Sequence, residues 1–305
     1  QKDILTLTGL DLLELANISP DDLTGIIGGP PCQGFSSIGQ GDVNDSRNKL
    51  FVKFFKLVHE LQPIFFVAEN VPGIMNDKYS PIREKAFSYV KDYHLLPPLK
   101  INASEYGAPT TRTRIFFIGY RTCDQINPLS ETDFIQAKIS PSQRTLVYQA
   151  LEGLPANIHY SAKSSGFKKL LPEYYNPTYL NMYHQKHIVN GCLPTKHSAT
   201  VRRRYSNLAY GQHDKISKSP KLNPNGFCPT LRAGTGPEKG SFQAVRPIHY
   251  AYSRVITPRE AARLQGFPDW YQLPDTIWHS FRQLGNSVSP IVAEKIMSII
   301  FQKLT

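Results

Sequence analysis

The sequence predicts an α/β fold with a doubly wound sheet and a second, smaller domain that is rich in loops. Two apolar runs of strand length, at 23–27 and 63–68, each lead into a turn with polar side chains, and an amphipathic helical pattern separates them. A third apolar run lies at 115–118. Strand and helix patterns alternate in this way to about residue 120, as a doubly wound sheet requires.

The turn after the first run presents a cysteine on stiff backbone. Pro30 and Pro31 have a fixed φ and no N–H group, and Gly34 allows the chain to turn sharply. Because ligands bind at strand ends in open α/β sheets, Cys32 is a candidate nucleophile. A buried structural cysteine in a turn is the alternative. The segment reads Gly29-Pro30-Pro31-Cys32-Gln33-Gly34-Phe35-Ser36.

The helical pattern between the first two runs extends from Asn48 to Leu61 and ends before Pro63. Asp45 or Ser46 is suited to cap its N-terminus. One face of this predicted helix is apolar. That face comprises Leu50, Phe51, Phe54, Phe55, Leu57, Val58 and Leu61.

Charged side chains accompany the second and third runs. Glu69 and Asn70 follow the second run, where the strand would open into the same crevice as Cys32. Arg112 and Arg114 precede the third run, and a period of two places them on the same side of a strand. Taken singly, Glu69 and Asn70 would form a turn or a cap. Arg112 and Arg114 would be solvated cations at the mouth of a strand.

From about residue 122 the alternation weakens, and the chain returns to the large domain at 278–281. A closing helix begins near Ser289 and Pro290, which suit the N-cap and first helical positions. We therefore predict a large domain at 1–125, a smaller domain at 126–272 and a return at 273–305. The stripe predicted to be buried on the closing helix comprises Ile291, Val292, Ile296, Ile299 and Ile300.

The composition favours a polyanionic partner. The 305-residue chain of 34.4 kDa has a formal net charge of +11 and an isoelectric point of about 9.4, and phosphates would supply salt-sensitive affinity. No apolar stretch approaches the ~20 residues of a membrane span, and no signal peptide is recognisable, so no membrane partner is expected. The four widely spaced cysteines fit a reducing cytoplasm better than a disulfide framework.

In their order and spacing, these segments resemble the C5-cytosine DNA methyltransferases. The resemblance extends from about residue 3 to the C-terminus and implies the Rossmann-like fold of S-adenosylmethionine-dependent methyltransferases. The smaller domain would then be the target-recognition domain of the family. The segments are Gly29–Ser36, Glu69–Val71, Arg112–Gly119, Thr230-Leu231, Arg254–Pro268 and Gln283–Pro290.

The resemblance implies a covalent mechanism. Cys32 would add to C6 of cytosine as a thiolate and make C5 nucleophilic. Glu69 would contact the N3/N4 edge of the base and donate a proton, while Arg114 and, more weakly, Arg112 would hold O2. Because C6 cannot be reached inside a duplex, the target base must be flipped out of double-stranded DNA.

S-adenosylmethionine is the implied co-substrate. The family's Phe-x-Gly-x-Gly loop has no match before Cys32, so we expect the first strands of the fold to be missing and binding of the co-substrate by this chain alone to be weak. A second polypeptide could supply that part. Thr110 also replaces a glutamine that is usual in the family. The cofactor contacts that carry over are Asp3, Pro31, Leu50, Asn286, Ser287 and Val288.

The predicted target-recognition domain contains a basic run that ends in three arginines. A solvated charged face is the alternative to DNA contacts in such a run. No metal is predicted, because the spacing of His184, His187, Cys192 and His197 matches no zinc pattern. The candidate DNA-binding residues are Gln33 and Ser36 in the cysteine loop and Arg202, Arg203, Arg204, Thr230, Leu231 and Arg232 in the smaller domain.

Two functions from different classes follow from these observations. The first is a DNA (cytosine-5-)-methyltransferase, either the modification partner of a bacterial restriction system or a solitary prophage enzyme. The second is a non-catalytic DNA-binding remnant, and between them stands one subunit of a split enzyme. The catalytic residue types in register favour either a split enzyme or a chain whose recorded sequence is truncated, because a chain under no catalytic demand has no physical reason to keep them.

Overall fold

A computed structural model describes residues 2–31, 48–121, 128–154, 189–234 and 246–304. The chain divides into two compact units. Unit 1 comprises Gln1–Ile101, Thr113–Gln136 and Ile299–Thr305, and unit 2 comprises Asn102–Arg112 and Ala137–Ser298.

A mixed sheet forms the centre of unit 1, in the strand order β1-β2-β5-β3, with β4 also paired to β5. β1 and β2 are parallel, whereas β5 is antiparallel to both β2 and β3. The carboxyl ends of β1 and β2 therefore lie at the same edge of the sheet. The strands are β1 (Gly25–Gly28), β2 (Phe65–Asn70), β3 (Tyr93–Leu95), β4 (Leu99–Asn102) and β5 (Thr113–Arg121).

Helix α2, at Asn48–Leu61, has the bounds predicted from the sequence and covers one face of this sheet. Phe51 packs edge-on against Phe117 of β5 with ring centroids 5.6 Å apart, and Phe55 packs against Phe66 of β2 at 5.5 Å. The predicted apolar face is buried except at Leu50 and Leu61, which are half-buried. The other helices of unit 1 are α1 (Gly9–Ala16), α3 (Ser80–Phe87) and α4 (Glu131–Gln136).

Unit 2 is built from short helices and loops around its own apolar core. Its helices are α5 (Val147–Leu151), α6 (Ala199–Ser206), α7 (Pro258–Leu264) and α8 (Ile277–Asn286). A capping box starts α7: Thr257 accepts from the Glu260 amide, and the Glu260 carboxylate accepts from the Thr257 amide. Short 3-10 turns occur at Pro20–Asp22, Pro72–Met75, Asp77–Tyr79, Ala103–Tyr106 and Pro141–Gln143.

The closing helix, α9 (Pro290–Leu304), begins where the sequence predicts. The Ser289 carbonyl accepts from the Ala293 amide in its first turn. All five residues of the predicted stripe are buried, so the periodicity identified the packed face correctly. In the described parts of the chain, none of the helices has the length and apolarity needed to cross a bilayer.

Candidate active site

Glu69 and Arg114 form an ion pair at the end of β2. Arg114 Nε lies 2.7 Å from Glu69 Oε1, and the two side chains are only 14% and 15% exposed. Along β2, Phe66 and Ala68 pack toward α2, so the period of two turns Glu69 to the opposite face of the sheet. Arg114 lies on that same face, because its neighbour Ile115 is part of the core on the α2 side.

The start of the cysteine loop lies beside this pair. Asn70 Nδ2 donates to the Pro30 carbonyl at 3.3 Å, and Asn70 Oδ1 accepts from the Val71 amide at 2.9 Å. A Cβ placed on Gly29 would lie 3.4 Å from Glu69 Oε2. The backbone before residue 32 is therefore tied to the end of β2. Cys32, Gln33 and Ser36, like the two candidate caps of α2, lie outside the described residues.

Burial makes the two described cysteines poor nucleophiles. Burial raises the pKa of Cys192 to about 11 and raises the pKa of the fully buried Cys228 further above its usual range. Because the thiolate is the reactive form, neither thiol is activated at neutral pH. Candidates for a reactive thiol are thus reduced to Cys32 and Cys123, both outside the described residues.

Arg112 belongs to unit 2 and precedes β5, which begins at Thr113, so the two predicted arginines do not share a strand. Its guanidinium is buried and donates to the carbonyls of Leu231 and Gly285, each at 3.0 Å. These contacts join three separate sequence motifs. Gly285 has to be a glycine here, because a Cβ would lie 2.2 Å from the amide nitrogen of Ala233.

Thr110, which replaces the usual glutamine of the family, is also buried in unit 2. Its hydroxyl donates to the Cys228 carbonyl at 3.0 Å, and the backbones of these two residues form a parallel bridge. Thr110 is thus bound to the backbone of the segment leading to Thr230 and Leu231.

The predicted cofactor residues fall in both units. In unit 1, Asp3 and Pro31 are exposed and Leu50 is half-buried, and the Asp3 carboxylate accepts from the Leu5 amide at 3.0 Å. In unit 2, the last residue of α8 and the two residues after it are the others. Asn286 is exposed, Ser287 and Val288 are half-buried, and the Ser287 hydroxyl donates to the Leu284 carbonyl at 2.9 Å.

The three arginines of α6 differ in their surroundings. Arg202 and Arg203 are exposed, whereas Arg204 Nε lies 2.5 Å from Oδ1 of Asp214. Burial disfavours the charged form of Asp214, but hydrogen bonds from Arg204 and Ser217 outweigh it and hold its pKa at about 2. Arg204 therefore braces the fold of this segment, while its two neighbours face solvent.

The other predicted DNA contacts of unit 2 lie beside Arg112. Leu231 is buried, Thr230 is half-buried and Arg232 is exposed. The Leu231 carbonyl is the acceptor for Arg112, so this short motif also has an anchoring contact. Of the two described members of the histidine–cysteine set, Cys192 is buried and His197 Nε2 accepts from the Val255 amide at 3.4 Å. Within the described ranges, no group of three or more His, Cys, Asp or Glu residues is arranged to hold a metal ion.

Sequence reasoning missed a buried arginine pair on α7. Arg259 Nε donates to the Asn190 carbonyl at 2.9 Å, and Arg263 donates to the Glu152 carbonyl at 2.9 Å and pairs with Asp269. Glu152 and Asn190 lie on either side of residues 155–188 in the sequence. The only signal for these contacts was that arginines occur at i and i+4 in an otherwise apolar helix, a pattern that also fits a solvated face.

Known proteins resemble this chain over nearly its whole length. The family model described as C-5 cytosine-specific DNA methylase matches residues 7–302. The type II methyltransferase M.XorII of Xanthomonas oryzae pv. oryzae is 34% identical, over 99% of this chain and 74% of its own length. M.DdeI of Desulfomicrobium norvegicum is 31% identical, over 97% and 75%. The chain therefore belongs to the C5-cytosine-specific DNA methylases, enzymes that methylate DNA cytosine at C5.

Solved structures show the same fold. A prophage-encoded Escherichia coli protein named as a DNA modification methyltransferase superposes with a TM-score of 0.81 at 44% identity, covering 100% of this chain and 85% of its own. The Dnmt2 methyltransferase of Schizosaccharomyces pombe superposes with a TM-score of 0.63 at 16% identity, covering 100% and 83%. The second likeness concerns the fold alone.

Proposed function

We propose that this chain transfers a methyl group from S-adenosylmethionine to C5 of a cytosine flipped out of a specific site in double-stranded DNA. The observation that carries the proposal is the ion pair between Glu69 and Arg114 at the end of β2, beside the backbone that leads into Cys32. An acid and a hydrogen-bond donor stand together there at the edge of the sheet where ligands bind in α/β folds.

Cys32 is the proposed nucleophile. Its thiolate forms a bond to C6 while N3 takes up a proton, so the electron pair displaced from the C5–C6 bond makes C5 nucleophilic. S-adenosylmethionine supplies the methyl group as the electrophile, and its sulfonium sulfur keeps the electron pair of the broken C–S bond. Loss of the C5 proton, expulsion of the Cys32 thiolate from C6 and return of the N3 proton to Glu69 then release 5-methylcytosine. The inert surroundings of Cys192 and Cys228 support this assignment.

Glu69 is the proposed proton donor at N3, and Arg114 holds O2. Two of the five N–H groups of Arg114 bond to Glu69 and to the Thr113 carbonyl, which fixes the plane of the guanidinium. The remaining N–H groups of the guanidinium can reach the base and stabilise charge that develops on O2. For Arg112, whose guanidinium holds the backbone of two other motifs, we propose a positioning role.

For the co-substrate, the described residues offer accessible groups of suitable chemistry. Asp3 presents an exposed carboxylate and Leu50 a half-buried apolar side chain in unit 1, which suit the polar and apolar parts of an adenosyl group. Pro31, Asn286, Ser287 and Val288 complete the proposed set.

We propose a DNA modification role, since M.XorII and M.DdeI carry the name type II methyltransferase. The chain would protect a specific site as the partner of a restriction enzyme, or act alone as a prophage enzyme. The free thiols Cys192 and Cys228 agree with work in the reducing cytoplasm. No finding supports a second polypeptide, and the ion pair of Glu69 with Arg114 favours an enzyme over a non-catalytic remnant.

The test is methylation in cells that lack C5 methylation, by the 305-residue chain expressed with a complementing N-terminal segment of a family member that supplies the Phe-x-Gly-x-Gly loop. Bisulfite sequencing should reveal 5-methylcytosine at one sequence motif in cells with the wild-type chain and with the control Cys123→Ser, but not with Cys32→Ser. Cys32→Ser should also fail to form a covalent complex with DNA that contains 5-fluorocytosine, because a hydroxyl is a far weaker nucleophile. A covalent complex with that variant would overturn the assignment of Cys32.

A further inference from the structure

Residues 196–221, here called the cationic segment, carry seven Lys and Arg side chains and one acidic residue, Asp214. Helix α6 is followed by a turn at residues 214–219, here called the tip turn, which a bridge between His213 and Pro220 closes. Five of the cations are exposed, whereas Asp214 is buried and paired. The cationic segment therefore presents a positive surface. The exposed cations are Lys196, Arg202, Arg203, Lys215 and Lys218.

Hydrogen bonds and an ion pair stabilise the tip turn at both ends and in its interior. Arg204 and the Ser217 amide bind the two carboxylate oxygens of Asp214, the latter at 2.6 Å. The Lys218 amide donates to the Asp214 carbonyl at 2.9 Å, and Tyr205 Oη donates to Ser217 Oγ at 3.3 Å. Because its conformation is set in advance, the turn loses little freedom when its exposed side chains bind a partner.

Ile216 lies in the middle of the tip turn, and 71% of its surface is exposed. A single exposed isoleucine is common on protein surfaces. Here, however, a braced turn holds the apolar side chain between two exposed lysines, Lys215 and Lys218. Cations that flank an apolar group match the layout of nucleic acid, in which anionic phosphates border apolar base surfaces.

We propose that the tip turn is a base-contacting element of the DNA interface, in which Ile216 meets the bases and Lys215 and Lys218 bind the neighbouring phosphates. The inference rests on the proposed function and assigns a specificity residue to it. Two kinds of base surface share this chemistry. An isoleucine can contact the methyl group of thymine in the major groove, or it can enter between base pairs as an apolar wedge.

The experiment uses the 305-residue chain, purified with the same complementing N-terminal segment, and a duplex that carries the site mapped by bisulfite sequencing. Ile216→Ala should lower kcat/KM for that duplex by about tenfold, the size of one good base contact. Ile216→Val should recover most of the loss. The control Ile135→Ala, which removes an isoleucine that is 51% exposed on α4, should leave kcat/KM unchanged. Thermal midpoints should match in all three variants, because neither side chain is buried.

Altered duplexes distinguish the two base surfaces. If Ile216 is a wedge, a duplex with an abasic site opposite the target cytosine should restore the Ile216→Ala rate to the wild-type rate. If it contacts a methyl group, a duplex with uracil in place of thymine should lower the wild-type rate to that of the variant. Lys215→Ala and Lys218→Ala should each reduce the salt slope of binding by about one, whereas Lys100→Ala should not.

Wild-type kcat/KM in Ile216→Ala on every duplex would overturn the inference and leave the proposed function intact. A fall in rate that is equal for specific and unrelated duplexes would also overturn it, because a base contact must affect selectivity. By contrast, a wild-type chain that places no 5-methylcytosine in DNA even with the complementing N-terminal segment would contradict the proposed function itself.

Discussion

At the scale of single residues, charge and burial separate side chains that look alike in the sequence. Arg114 pairs with Glu69 on the face of the sheet opposite α2, whereas the buried Arg112 donates to two backbone carbonyls. Arg204 is bound to a buried carboxylate, whereas Arg202 and Arg203 face solvent. Roles inferred for a run of arginines therefore have to be assigned one residue at a time.

Replacing Glu69 should remove the proton donor without removing the fold. Glu69→Gln keeps the shape and a hydrogen-bonding amide, so duplex binding should persist while kcat falls by about a hundredfold or more, the usual contribution of a general acid. Single-turnover methylation with tritiated S-adenosylmethionine measures this loss. Glu105→Gln, which changes a surface ion pair with Lys138, is the matched control and should keep the wild-type rate. A fully active Glu69→Gln enzyme would contradict the assigned role.

Replacing Arg112 should reduce stability first. Arg112→Leu leaves the Leu231 and Gly285 carbonyls buried without this donor, at a cost of about 2–4 kcal/mol in the free energy of unfolding. Calorimetry should show a clear fall in the thermal midpoint, whereas Arg282→Leu, which removes an exposed arginine of α8, should shift it little. Below its midpoint, folded Arg112→Leu should methylate DNA. A folded but inactive variant would instead indicate direct contact with the base.

At the scale of elements, buried ionic networks hold the loops of unit 2. Arg254 makes two bonds to Glu260 on α7, at 2.7 and 2.8 Å, and His249 Nε2 lies 3.6 Å from the same carboxylate. His249 Nδ1 accepts from the Ala251 amide at 3.0 Å. The His249 imidazole is buried, and its Nδ1 is unprotonated because it accepts a hydrogen bond. The ring is therefore neutral, although the Glu260 carboxylate is nearby.

Acid should weaken this network through His249. Burial lowers the pKa of His249 to about 4 from an ordinary value of 6.5, so the unfolded chain binds a proton between these pH values and the folded chain does not. The stabilisation is complete above pH 6.5 and should be lost as pH falls toward 4. The thermal midpoint of His249→Asn should then fall less over this range than that of the wild type. His94→Asn, at an exposed site, should keep the wild-type slope. Parallel slopes for wild type and His249→Asn would refute the assignment.

At the scale of the whole molecule, chemistry and recognition should be separable. Glu69 and Arg114 belong to unit 1, and the cationic segment belongs to unit 2. Replacing residues 140–252 with the corresponding block of M.XorII should therefore change the methylated sequence but not the product, 5-methylcytosine. Bisulfite sequencing of DNA from expressing cells measures both. Methylation at the original site by the hybrid would show that recognition resides elsewhere.

The sequence by itself determined the local elements and the family. Helix α2 and the buried stripe of α9 were predicted because an apolar face at helical spacing is a local property of the chain. The order of the motifs was likewise readable without coordinates, and it placed Glu69 at a strand end. Placing Arg114 on the same face as Glu69 also required the pairing of β2 with β5 and the packing of Ile115 on the α2 side.

Only the tertiary structure decided which partners these residues have. Arg112 binds carbonyls that are 119 and 173 residues away in the sequence, and Arg259 binds one 69 residues away. Whether an arginine is exposed, paired or buried depends on such distant groups, and no local spacing encodes them. The same holds for Ile216, whose exposure between two lysines follows from how Asp214 and Arg204 close the tip turn. Periodicity identifies the face of a helix or strand on which a residue lies, but the tertiary fold determines which groups that face contacts.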